Sequence, residues 1–128
     1  MCKTIKQKVK FKASPKEIYS ILADSERQQR VTGKKTAISG KVGGKFSTCG
    51  GYASGINVEM IPGRRLVQAW RGSDFPVGVF SMATFNLVPT RSGGTELTLI
   101  HRGVPKELIP ATESRWRKLY WERIKRWL

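Results

Sequence analysis

His101 is the only histidine in the chain, and Cys2 and Cys49 are its two cysteines. Zinc takes about three or four convergent ligands, which one histidine and two remote cysteines do not supply. A Cys49–His101 dyad would need a third group to orient it, and Cys49 sits in the run Thr48-Cys49-Gly50-Gly51 with no such group nearby. The nine acids are scattered. Glu59, Asp74 and Glu96 fall on different segments, so a paired-carboxylate mechanism has no support. Gly40-Lys41-Val42-Gly43-Gly44-Lys45 has the glycines of a phosphate loop. However, Ser39 stands where the first glycine is required, Phe46 replaces the hydroxyl that would reach magnesium, and strand-like residues follow. These exclusions lead to the expectation of no catalytic residue, no metal, no cofactor and no enzyme activity.

What remains is aromatic. Phe46, Tyr52, Trp70, Phe85, Trp116 and Tyr120 are expected to meet in the interior, where they either fill a core or line a pocket for a small hydrophobic or amphipathic ligand. Three polar side chains are candidates to orient such a ligand: Gln68, which shares a strand face with Trp70, His101, and Arg123. A buried arginine requires an anionic partner, although at a helix flank its charged end can reach solvent instead.

The elements that would hold these residues follow from periodicity. Ile5, Val9 and Phe11 alternate with Lys6, Lys8, Lys10 and Lys12, a period of two that describes a strand with one buried and one charged face. Ser14-Pro15-Lys16-Glu17 reads as a capping box opening a short helix that ends near Asp24. A polar second helical turn is expected over 25–30. Strands are then expected near 36–39, 44–49, 52–61, 65–71, 79–88 and 95–102, punctuated by Gly43-Gly44, Gly50-Gly51, Pro62-Gly63 and Ser92-Gly93-Gly94. Connections this short favour antiparallel neighbours. Beyond Pro110 the chain reads as one long helix whose apolar arc carries Trp116, Leu119, Tyr120, Ile124, Trp127 and Leu128. The fold class is therefore α+β, with one domain over 1–128.

Charge is uneven. The chain carries 24 Lys and Arg against 9 acids, for a net charge of +15. Residues 1–45 hold 12 bases and 3 acids, 46–100 hold 4 and 3, and 101–128 hold 8 and 3. Two basic ends flanking a neutral middle would attract nucleic acid or an anionic surface. No apolar run approaches the roughly eighteen residues of a transmembrane segment, and Met1-Cys2-Lys3-Thr4 opens no secretory signal. With two separated cysteines, a reducing cytoplasm is the expected setting.

Several motifs converge on a known family. They are Val42-Gly43-Gly44-Lys45-Phe46, the stretch Ile61-Pro62-Gly63-Arg64-Arg65-Leu66-Val67-Gln68-Ala69-Trp70-Arg71, Ser73-Asp74-Phe75-Pro76-Val77-Gly78, His101-Arg102-Gly103-Val104-Pro105, and Trp116-Arg117-Lys118-Leu119-Tyr120-Trp121. In this order they resemble the C-terminal domain of the activator of heat-shock-protein-90 ATPase and its bacterial relatives, within the START/helix-grip (SRPBCC) superfamily. The resemblance implies a curved antiparallel sheet of six to seven strands wrapped around the long C-terminal helix, with two short helices after the first strand. It also implies either a non-enzymatic domain that holds a hydrophobic ligand between sheet and helix, or a co-chaperone-like module that binds a chaperone protein. The chain departs from the family pattern twice: Gln29-Arg30-Val31 occupies the region where relatives place a tryptophan, and Arg115-Trp116 replaces a Gly-Trp pair.

Overall fold

The computed structural model describes residues 2–128, apart from the Cys2 side chain. β1 (Cys2–Phe11) leads into α1 (Pro15–Ala23) and α2 (Ser25–Thr32). Ser14 Oγ accepts the Glu17 N–H at 3.2 Å, and Asp24 accepts the Arg27 N–H at 3.0 Å. Each helix therefore starts on a side-chain cap that satisfies one of its free amides. Gly33, at φ 72, ends α2 in the left-handed conformation that glycine adopts without penalty.

The strands that follow are β2 (Ala37–Ile38), β3 (Lys45–Thr48), β4 (Ala53–Ile61), β5 (Arg65–Gly72), β6 (Ser81–Pro89) and β7 (Thr95–Pro105). They form one antiparallel seven-stranded sheet in the order β1-β7-β6-β5-β4-β3-β2. Register shifts between Lys3 and Ile5 on β1, and between Asn57 and Glu59 on β4, add twist and help to curl the sheet. Gly55 is required by close approach: a Cβ there would meet the Ala69 carbonyl oxygen at 1.7 Å and the Phe46 ring at 2.9 Å.

The concave face closes on the C-terminal helix. That helix runs as α3 (Ile109–Arg115), a π-helical turn over Trp116–Trp121, and α4 (Glu122–Trp127). The π turn corrects the simple helical wheel. Bonding from i to i+5 brings residues five apart over one another, and the Trp116 and Trp121 rings stack at 5.7 Å and 14°. Trp121, outside the arc expected from the sequence, is buried. Trp127 and Leu128, expected within it, are 55% and 46% exposed.

Candidate functional site

The sheet presents its inward residues at the spacing the pleat dictates. Gln68 and Trp70 on β5, Phe85 on β6 and His101 on β7 face Trp116 and Tyr120 of the C-terminal helix, and all six are buried. Trp70 is the hub. Its ring packs edge-on to His101 at 4.7 Å and to Phe75 at 5.7 Å, and lies 5.7 Å from Trp116. Phe46 joins the core from β3, and Tyr52 packs edge-on to Trp70 at 6.2 Å.

His101 is held in one tautomer. Its Nδ1 accepts the indole N–H of Trp116 at 3.1 Å. Nε2 therefore carries the proton and donates it to Ser81 Oγ at 2.7 Å, while Ser81 donates onward to the Trp70 carbonyl at 2.8 Å. Every polar group in this line has a partner, as a buried network requires. Burial lowers the His101 pKa from 6.5 to about 3, because an imidazolium there would be desolvated. A neutral imidazole with both nitrogens engaged has no free position from which to act as a base.

A second polar knot lies at the other end of the helix's π turn. The Tyr120 hydroxyl is 2.7 Å from Thr48 Oγ1 and 3.0 Å from Cys49 Sγ, and burial raises its pKa. The Arg115 guanidinium lies over the Tyr52 ring at 3.6 Å, a cation–π contact. Tyr52 in turn donates to Asp74 at 2.6 Å. Burial, followed by this bond to the Asp74 carboxylate, pushes the Tyr52 pKa up to about 12.

The structure thus gathers Gln68, Trp70, Phe85, His101, Trp116 and Tyr120, with Phe46 and Tyr52 at the margin. Arg123 lies elsewhere: its Nη1 donates to the Thr32 carbonyl at the end of α2, so it caps a helix and does not enter the interior. Gln68 is likewise engaged, donating to Asn57 Oδ1 at 3.1 Å. Gln28, Thr48 and Trp121 belong to the interior but were not anticipated. Gln28 sits in a helix that reads as polar throughout, and Trp121 reaches its place only through the π turn. The space bounded by Leu22, Gln28, Thr48, Gln68, Trp70, Phe85, Trp116 and Tyr120 has a volume of about 10 Å³. That is the room of roughly one water molecule. Among the described residues, no group of three or more His, Cys, Asp or Glu side chains is placed to hold a metal ion.

This closed, helix-gripping architecture has clear relatives. Residues 12–128 match the family described as "Activator of Hsp90 ATPase homolog 1-like protein". The chain belongs to this family. It is 32% identical over 124 residues to the human activator of 90 kDa heat shock protein ATPase homolog 1, covering 97% of this chain and 36% of that protein. It is 30% identical over 123 residues to the Dictyostelium discoideum homolog, covering 96% of this chain and 32% of that protein. The chain therefore spans about a third of the length of these curated relatives. Among solved structures, an HSP90 activator from Plasmodium falciparum superposes with a TM-score of 0.90 at 20% identity, covering 95% of this chain and 93% of that one, a likeness of fold. Among the described residues, no helix is long and apolar enough to cross a membrane.

Proposed function

We propose that this domain works as a protein-binding module of the co-chaperone type, docking on an ATP-hydrolysing chaperone of the 90-kDa heat-shock class. Membership of the activator family supports this reading, and the observation that carries it furthest is the filled interior. Ligand pockets in proteins measure roughly 300–1,000 Å³, whereas the space between sheet and helix here has a volume of about 10 Å³. A small hydrophobic ligand, the other reading of the family resemblance, would have to part Trp70, Phe85 and Trp116 to enter. Recognition then falls to the outer surface, where +15 of net charge supplies long-range attraction to an acidic partner. No catalytic step is assigned to the domain. The neutral, doubly bonded His101 and the enclosed Tyr120 are structural in this account.

Calorimetric titration of the chain into the 90-kDa-class chaperone of the same organism tests the reading. Saturable binding that weakens as salt rises is expected, and a flat titration at low salt would rule the reading out.

A further inference from the structure

At the corner where α2 meets the end of the C-terminal helix, four arginines surround an exposed tryptophan. Trp127 is 55% exposed, an unusual exposure for a side chain with so much apolar surface to bury. Two recesses flank it, both lined by Trp127 and Val31. One, of about 230 Å³, is completed by Ile21 with Arg27 and Arg30, and Glu17 is the single carboxylate in its lining. The other, of about 350 Å³, is completed by Arg123 and Arg126.

Among the described residues, none of the four guanidiniums forms an ion pair with a carboxylate. Among the described residues the one salt bridge joins Arg65 to Glu59 at 2.9 Å. Helix capping accounts for part of the arrangement, since Arg123 bonds the Thr32 carbonyl, while Arg30 and Arg126 sit in the last turns of their helices, where cations are favoured. Capping does not account for the exposed indole, nor for the two recesses that Val31 and Trp127 line together with the arginines.

We infer that this corner is a docking site for an acidic protein segment that sets an apolar side chain against Val31 and Trp127 and its carboxylates against the arginines. Arginine forks pair with carboxylates through two parallel hydrogen bonds, and tryptophan and arginine together are the residues that most often dominate protein interfaces. All four arginines line recesses that share Val31 and Trp127, whereas a phosphate backbone follows an extended basic groove, which favours a compact peptide anchor over a nucleic acid. The inference does not depend on which protein carries the segment, so it can fail while the chaperone reading stands, and the reverse.

The probe is a fluorescein-labelled peptide of two glutamates, a leucine and two glutamates, titrated against the whole chain by fluorescence polarisation at low salt. Saturable binding is expected, with no binding of the peptide in which lysines replace the glutamates. The R30E/R126E double variant should weaken binding by about tenfold or more, and W127A by about fivefold. K10E/K12E, which makes the same charge change on β1, should weaken it clearly less, since neither lysine lines the two recesses. Circular dichroism confirms that each exposed-residue variant is folded. Three results would each overturn the inference: no saturable binding, equal weakening by K10E/K12E, or displacement of the peptide by a tighter-binding oligothymidylate.

Discussion

Trp116 and His101 form one hydrogen-bonded unit across the interface between the C-terminal helix and β7, with the indole N–H donating to Nδ1 at 3.1 Å. That bond decides the proton's position on the imidazole, and through Ser81 it ties the helix to the β5 backbone at Trp70. A second proton on His101 would place an N–H against the Trp116 N–H. Desolvation and this opposition act in the same direction, against the imidazolium.

Acid should therefore destabilise the fold through this residue. As pH falls below about 6.5 the unfolded chain protonates His101, whereas the native chain stays neutral until about 3. The unfolded state binds more protons across that window, so the contribution is complete above pH 6.5 and declines towards pH 3, by about 1.4 kcal/mol per pH unit. Urea unfolding at pH 7, 5 and 4, compared with His101→Gln, isolates the term. The variant should show a shallower loss, and parallel curves would refute the assignment.

Trp116→Phe keeps a ring in place but removes the donor. Leaving Nδ1 without a partner should cost about 1–3 kcal/mol, before any loss of packing. The same change should raise the His101 pKa, because a proton on Nδ1 no longer faces another donor. The imidazole C–H resonances followed by NMR against pH report this shift, and an unchanged or lower pKa would contradict the network.

Gly55→Ala tests the curvature of the sheet. With the Ala69 oxygen 1.7 Å from the new methyl position, β4 and β5 must separate, and a loss of about 3 kcal/mol or more is expected. Thermal melting measures it. A variant as stable as the parent would mean that the sheet yields at little cost.

The filled interior predicts that native mass spectrometry of freshly purified protein will give the bare 14.4 kDa chain, with no reproducible small-molecule addition. A constant adduct lost on denaturation would show that Trp70, Phe85 and Trp116 can part for a ligand.

Local chemistry explains which features could be read from the sequence. The Ser14 cap, the alternation of Ile5, Val9 and Phe11 with lysines, and the glycine turns each act over a few residues, and the structure forms all of them. The reciprocal half of the Ser14–Glu17 box does not appear among the described hydrogen bonds. The seven-stranded sheet and the grip on the C-terminal helix also follow the sequence reading. Two features did not. A wheel of about 3.6 residues per turn cannot register a π turn, so it exchanged buried Trp121 for exposed Trp127. The burial of Gln28 and the partner of Arg123 could not be read for a related reason. Each side chain is fixed by a backbone carbonyl, Ile21 and Leu22 for Gln28 and Thr32 for Arg123, and those partners become neighbours only once α1, α2 and the C-terminal helix pack together.

The central claim, that this domain acts by engaging a chaperone, is tested most directly by the ATPase rate of the 90-kDa-class chaperone from the same organism, measured as the chain is titrated in. A saturable change in rate, reduced at high salt, is predicted. A rate unchanged at concentrations well above that of the chaperone would contradict it.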